Sequence, residues 1–430
     1  MTEYPWKVFT KLASKFILCD GCFGRQFSLL APGIDKWELG HSIKTALFLC
    51  ALIQHEKNGK RGSFNLLKAL AKSGFGPAIA YLRDRCGAVM EVEPCYICGT
   101  DIRQALEKTV VSVTERLKTV EVRTFKSGSS LSSSLIRRED EVKRTLKIPW
   151  GESIKNFINS YLDHEISKSL KISTDVDEPD VMFIVNPFNG DIKITLFPLY
   201  LRGRYRKLMK GISQTRKRGK DPLSSVEGMI ASVLVPETGA ADLTFHGAGR
   251  EDVDALMLGN GRPFVIEVRE PARRSLDLKA LERKINEAFQ GKIEILGLKY
   301  ASKKDIRRVK ILGERVNKVY RAVIKLGREI SEEELRELQN RVNGLEINQK
   351  TPSRVLWRRG DRIRRKKIVS AKLNLVDKNT LSATLVAQGG TYIKEFVSGD
   401  SGRTTPSLSE LLNTTAECVE LEVIDFLGDL

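Results

Sequence analysis

The stretch Phe245-His246-Gly247-Ala248-Gly249-Arg250-Glu251-Asp252-Val253-Asp254 sets carboxylates just beyond two glycines and an arginine. Glycines let a backbone approach a ligand closely and take positive φ. A carboxylate presented from such a loop, with Arg250 and Arg262 on either side, can meet a polyanion and do chemistry on it. The same pattern fits a charged turn between two strands, because acidic residues are common in turns. Residues 241–245 read as a strand leading into the loop. Residues 257–264 read as a tight turn entering a second strand, 265–268.

A second constellation is made of sulfur. Four of the 7 cysteines form two C-x-x-C pairs, Cys19 with Cys22 and Cys95 with Cys98. Gly21 and Gly99 stand by to bend each knuckle, and two knuckles supply four thiolates for a tetrahedral zinc ion. The pairs are much farther apart than in a simple zinc ribbon. The intervening segment, 36–87, shows helical apolar spacing at 40–52 and 63–70. It is expected to fold as a helical lobe with the knuckles meeting at its base. A disulfide framework belongs to secreted chains, and a redox motif needs thioredoxin-like surroundings that are absent here. Cys50, Cys86 and Cys418 read as ordinary buried residues. The histidines His41, His55, His164 and His246 show no metal-binding spacing.

The rest of the chain must position these groups. Its 430 residues suffice for two or three domains. With 41% hydrophobic and 29% charged residues, it has the composition of a folded soluble protein. No apolar run is long enough to cross a membrane. The first residues lack the apolar core and cleavage site of a signal peptide, so a cytoplasmic location is expected. The net charge of +18 calls for a polyanionic partner, for which nucleic acid is the usual candidate. The cations cluster. Arg202, Arg204, Arg206, Lys207, Lys210, Arg216, Lys217, Arg218 and Lys220 crowd one segment, and Arg354, Arg358, Arg359, Arg362, Arg364, Arg365, Lys366 and Lys367 another. In 349–367, Arg354, Arg358 and Arg359 stand beside Trp357, a mixture suited to RNA backbone contact and base stacking. A solvated basic hairpin is the plainer alternative. There is no phosphate-binding Walker loop and no dinucleotide fingerprint, so no organic cofactor is expected.

The chain divides into a cysteine lobe at 1–100, a small α/β unit at 101–221 and a larger domain at 222–430. The serine-rich run 126–134 reads as a flexible loop. Residues 153–162 read as an amphipathic helix. Residues 180–186 and 191–200 read as strands joined by a turn, the second leaving through the basic stretch 201–208. A P-D-V strand, a strand pair and a G-R-Y-R-K exit resemble the RNA-binding THUMP domain. Beyond 222, a short helix at 225–234 is followed by strands at 264–269, 292–299, 318–324, 367–374 and 380–387. Helices are expected at 276–289 and, from a capping box, at 331–339. Many strands with few helices give an α+β domain on a mixed, largely antiparallel sheet.

Three segments carry a more particular resemblance. Gly249-Arg250-Glu251-Asp252, Lys318-Val319-Tyr320-Arg321 and Gly390-Thr391-Tyr392-Ile393-Lys394, in that order, resemble the motifs of the pseudouridine synthase catalytic domain. With Asn260-Gly261-Arg262-Pro263-Phe264, Gln349-Lys350-Thr351-Pro352-Ser353-Arg354-Val355-Leu356 and the cysteine lobe, the chain resembles the archaeal and eukaryotic Pus-Ten family of tRNA pseudouridine synthases. The resemblance implies isomerisation of uridine to pseudouridine in the T-arm of tRNA, at positions 54 and 55. It implies Asp252 as the catalytic aspartate, with Asp254 as its rival, and Arg250 as a residue that helps hold the flipped nucleotide's backbone or its displaced partner. Tyr320 would stack on uracil and move protons, and Lys394 would pair with Asp252. A structural zinc, tRNA as partner, no membrane, no obligate protein partner and a monomeric state complete the expectation. The competing classes are a non-catalytic RNA-binding protein and a THUMP-bearing RNA methyltransferase or thiolation enzyme. The latter would need a glycine-rich cofactor loop, which the sequence lacks.

Overall fold

The computed structural model of the chain describes residues 3–58, 61–358 and 360–428. The chain forms two units, one ending at Leu196 and the other beginning at Phe197. In the first, the helices Lys36–Asn58, Arg61–Lys72 and Gly76–Cys86 fill the segment between the cysteine pairs, as the apolar spacing predicts. Leu47, Leu67, Leu70 and Leu82 are fully buried along them. Each such side chain stabilises the lobe by about 1.5–3 kcal/mol relative to leaving it in water. The expectation that Cys50 and Cys86 are buried fails. Both are exposed, because the helices turn their leucine and phenylalanine stripes inward and leave these positions on the outer face. Among the described residues no helix is long and apolar enough to cross a membrane.

The same unit carries a four-stranded sheet of β1 (Thr124–Ser129), β2 (Ser173–Thr174), β3 (Val181–Asn186) and β4 (Asp191–Leu196), ordered β2-β1-β3-β4. The serine-rich run is therefore no loop. β1 lies inside the sheet, paired in parallel with β2 and β3. Ser132 then caps the helix Ser133–Leu146 by accepting from the Leu135 N–H. Local composition pointed to a loop because Ser and Gly disfavour strands. Tertiary pairing overrides that preference: Phe125 is fully buried against Phe183, their rings 5.5 Å apart. The amphipathic helix is present as Ile154–Leu170, with Ile154, Phe157, Ile158, Leu162 and Ile166 facing the core.

The second unit is built on ten strands. They are β5 (Leu199–Lys207), β6 (Asp242–Gly247), β7 (Leu256–Arg269), β8 (Ile293–Ala301), β9 (Lys318–Leu326), β10 (Glu346–Gln349), β11 (Arg364–Asp377), β12 (Thr380–Ala387), β13 (Thr404–Thr405) and β14 (Ala416–Phe426). The order is β13-β10-β11-β12-β9-β14-β7-β5-β8, with β6 also on β7. Among the described residues only strands β14 and β7 of this sheet pair in parallel, so the sheet is mixed and largely antiparallel. The expected helices appear as Val226–Thr238, Leu278–Ala288 and Glu332–Val342, the last with its capping box. A further helix, Lys303–Arg315, was not foreseen.

Two expectations change here. Residues 197–221, assigned to the THUMP-like part, lie in the second unit. β5 is sandwiched between β7 and β8, and its alternate residues Leu201 and Tyr205 are wholly buried. The tight turn expected at 257–264 is also absent. β7 runs through it, bent at Gly259 and Gly261, whose φ values are +57° and +74°. A Cβ on Gly259 would fall 1.8 Å from the Ile424 carbonyl oxygen. The glycines thus let one strand pair with β14 at its start and with β5 and β6 further on.

Candidate active site and metal centre

The loop 248–255 joins β6 to β7, and its footing is buried charge. The Glu251 carboxylate accepts from Arg262 Nε at 2.9 Å and from the Tyr205 hydroxyl at 2.9 and 3.0 Å. The Arg262 and Glu251 side chains are each 1% exposed. Arg262 also donates to the Ala248 carbonyl, and Gln214 to the Gly249 carbonyl. Lys207, buried at the end of β5, donates to the Asp252 and Val253 carbonyls at 2.9 and 3.2 Å. The backbone of Asp252 is therefore held by a lysine of the basic segment 202–220, buried away from any phosphate. Burial pulls the Lys207 pKa below its usual value. Arg206 and Arg216 of the same basic segment pair with Glu294 and Asp242.

This network yields a stability prediction. A buried ion pair that loses one partner strands the other charge in a poor solvent. Arg262→Met is expected to destabilise the protein by about 3–5 kcal/mol in urea unfolding. A loss under about 1 kcal/mol would mean that Glu251 finds another counter-charge and that the network does not hold the loop.

The loop overlooks a cleft of about 650 Å³, lined among others by Arg250, Asp252, Tyr320, Arg354 and Lys394. Asp252 accepts from Arg354 Nη1 at 2.9 Å, and Arg354 Nε donates to Glu395 at 2.6 Å. Lys394, on the short helix Ile393–Ser398, instead donates to Asp254 at 2.6 Å. The motif resemblance implies a Lys394–Asp252 pair, but in the structure Arg354 holds Asp252 and Lys394 holds Asp254. Glu395 anchors the Arg354 guanidinium, which takes the Asp252 carboxylate, and the exposed Asp254 takes Lys394. Asp254 is 67% exposed, and the Lys394 bond holds its pKa below the usual carboxylate range. Arg354 itself was expected to contact RNA, and the structure occupies it with two carboxylates. Arg250 is exposed on the cleft rim. The Arg358 side chain and all of Arg359 lie outside the described residues.

Tyr320 stands on β9 and is 7% exposed. Burial first, opposed by Arg262 and helped by Asp252, pushes its pKa up to about 12. At neutral pH it is a phenol, able to donate a hydrogen bond and not to act as a ready base. Gly249, Asp252, Tyr320 and Lys394, from three separate sequence motifs, thus converge on one cleft. The buried charge beneath them had no signal of its own. In the sequence, Glu251 was one more acidic loop residue, and Arg262 read as a cation flanking the loop for a polyanion, whereas the structure buries it against Glu251.

In the first unit, Cys19, Cys22, Cys95 and Cys98 bring their sulfurs within 4.8 Å of one another. Cys19 caps the helix Asp20–Gly24, its sulfur accepting from the Cys22 N–H at 3.4 Å. The Cys19 and Cys98 sulfurs are 3.8 Å apart. That is far longer than a disulfide of about 2.05 Å and equals the edge of a tetrahedron with metal–sulfur bonds of about 2.3 Å. The four residues suit a tetrahedral thiolate site. Fully buried Arg25 follows Cys22, bonds Glu139 and donates to the Glu152 carbonyl. Burial opposes its charge, but Cys22 and Glu139 outweigh that and hold its pKa above the usual value.

Known proteins resemble the chain along its length. The family model described as "Pus10, C-terminal" matches residues 200–426, and "Pus10 THUMP domain, archaeal" matches 110–186. A curated relative from Methanothrix thermoacetophila, "tRNA pseudouridine synthase Pus10", is 37% identical over 96% of this chain and 92% of its own length. The protein of that description from Methanopyrus kandleri is 38% identical over 96% of this chain and 97% of its own. That from Pyrococcus furiosus is 34% identical over 96% and 95%. Among solved structures, a chain of a "Cbf5-Nop10-Gar1 Complex" covers 52% of this chain and 58% of its own, with 14% identity and a TM-score of 0.29. With family models over both units and relatives matched almost end to end, the chain belongs to the Pus10 family of tRNA pseudouridine synthases.

Proposed function

We propose that this protein isomerises uridine to pseudouridine in the T-arm of tRNA, at positions 54 and 55, with Asp252 as the catalytic carboxylate. The observation that supports this most is the Asp252–Arg354 pair over a cleft that also holds Tyr320, on a floor of buried cations. Asp254 fits the role less well, because it is exposed, bonded to Lys394 and absent from the cleft lining.

The reaction breaks the bond between ribose C1′ and uracil N1, turns the base and joins C1′ to C5. C5 loses a proton and N1 gains one, so no oxidant or reductant is consumed. The uridine must leave its stack to reach Asp252. Arg354 holds one carboxylate oxygen at 2.9 Å, and among the described residues the other oxygen has no protein partner. That oxygen meets the extruded nucleoside as nucleophile or base. Tyr320 packs against the uracil face and keeps its proton for donation. Arg250, Lys394, Arg358 and Arg359 contribute cations for the phosphate backbone, and counterion release drives binding.

The first unit serves recognition. A THUMP-like part contacts tRNA, and Cys19, Cys22, Cys95 and Cys98 hold a structural zinc ion that stabilises the lobe beside it. The chain works in the cytoplasm, as a monomer and without an obligate protein partner. The direct test is incubation of purified protein with an unmodified tRNA transcript, without added cofactor, followed by carbodiimide mapping of pseudouridine. T-arm signal at 54 and 55 is expected. Signal elsewhere would overturn the assigned target, and no signal would leave a protein that only binds RNA.

A further inference from the structure

Lys318 lines the cleft and has no part in the chemistry proposed for Asp252 and Tyr320. It lies two residues before Tyr320 on β9, so the two side chains stand on the same face of the strand. It is 4% exposed, and its Nζ donates to the Gly313 carbonyl at 3.3 Å. An ammonium carries three donors. Among the described residues Lys318 has no ion pair, because the carboxylate that feels its charge, Glu251, is bonded to Arg262 and Tyr205. Lysines usually keep the ammonium in water or pair it. Lys318 does neither, and it lines the cleft.

Its surroundings come from five elements. Arg262 of β7 and Lys366 of β11 add positive charge, and Glu251 of the loop adds negative charge. The helix Lys303–Arg315 supplies the Gly313 carbonyl, and Phe426 of β14 sets its ring 5.3 Å from Nζ. Burial, and then Arg262, bring the Lys318 pKa down to about 7. The loop comes close above it: a Cβ on Gly249, whose φ is +75°, would lie 3.1 Å from Nζ. Glycine at 249 thus lets the loop that carries Asp252 pass directly over the ammonium.

We propose that Lys318 is a substrate-contacting catalytic residue: its ammonium donates to a carbonyl oxygen of the extruded uracil and stabilises the charge of the detached base. The proposal rests on the pseudouridine synthase reading of the cleft. When C1′–N1 breaks with its electron pair going to N1, uracil carries negative charge until C1′–C5 forms. C5 then gives up its proton and N1 takes one, and Lys318 ends in the state in which it began. The buried cations around Glu251 leave the cleft floor with excess positive charge, which suits an anionic base.

The test compares the wild-type protein with Lys318→Met and Lys318→Arg on unmodified tRNA transcript. Single-turnover rates at saturating tRNA, tRNA affinity by filter binding and thermal melting are measured for each. Lys318→Met is expected to lower the rate by about 10²–10³-fold, as loss of an oriented donor to a developing anion does. Affinity should change less than about threefold, because phosphate contacts supply most of it. Lys318→Arg keeps a cation and should recover part of the rate. The ammonium is the working form and is lost as pH rises through about 7. So kcat/KM of the wild type should bend downward above that pH, and in Lys318→Arg the bend should move out of range. A folded Lys318→Met at the wild-type rate would overturn the proposal, as would an unchanged pH profile in Lys318→Arg where Lys318→Met does not fold. If the wild type forms no pseudouridine at all, the cleft reading itself has failed, an outcome distinct from both.

Discussion

Asp252→Asn is expected to lower pseudouridine formation by at least about 10⁴-fold, a loss of roughly 5 kcal/mol of transition-state stabilisation. The substitution nearly preserves shape and can still meet Arg354 through its amide oxygen. What it removes is the negative charge and the nucleophilic or basic oxygen. Binding of tRNA should stay within about threefold, because phosphate contacts position the nucleic acid. The structure supplies the control. Asp254 is 67% exposed and held by Lys394, so Asp254→Asn should cost less than about tenfold. If Asp254→Asn is dead and Asp252→Asn is active, the wrong carboxylate has been chosen. If both are active, the chain acts on RNA without this chemistry.

The arrangement around Asp252 fixes its backbone while leaving the proposed catalytic carboxylate open to the cleft. Its backbone is gripped from below by Lys207, and its neighbour Glu251 is locked to Arg262 and Tyr205. None of this uses the Asp252 side chain, which is left to the cleft and to Arg354. Alternation along the loop therefore separates a buried, ion-paired carboxylate from one that faces the cleft. Glu251 points down into low dielectric, where an ion pair is strong only if both partners stay. Asp252 points up, where a substrate can displace solvent around it.

How much of this was legible follows from range. The motif residues Asp252, Tyr320 and Lys394 were visible because each sits in a short, ordered pattern of residue types. The sheet was legible as alternation in 318–324 and 380–387, where β9 and β12 bury every second side chain. Partner choice was not legible. Arg354 lies far from Asp252 in the chain, and only the fold decides that it, and not Lys394, holds that carboxylate. The strand at 124–129 was hidden for a similar reason. Serine and glycine give it no local preference, and its stability comes from parallel neighbours that are remote in sequence. β7 was misread as a turn because Gly259 and Gly261 are turn residues by local chemistry, whereas here they bend a strand around its neighbours.

Metal removal should have the other large effect, and it should fall on the first unit. Four cysteines from distant knuckles meet within 4.8 Å, with Cys22 fully buried. Four sulfurs at this spacing suit a cation held between them as thiolates. Structural zinc contributes about 10–16 kcal/mol of apparent binding energy in small domains, comparable to the whole stability of a domain at about 5–15 kcal/mol. The protein should therefore contain about one zinc per chain by elemental analysis. Cys22→Ser, or prolonged exposure to a strong chelator, should unfold the packing of Phe23 and Phe27 around the knuckle. It should also release Arg25 from Glu139, with loss of helical circular dichroism and weaker tRNA binding. The cleft draws all its lining residues from the second unit, so at saturating tRNA the rate should fall less than the affinity. A Cys22→Ser protein that melts with the wild type and carries no less metal would show that the four sulfurs hold nothing.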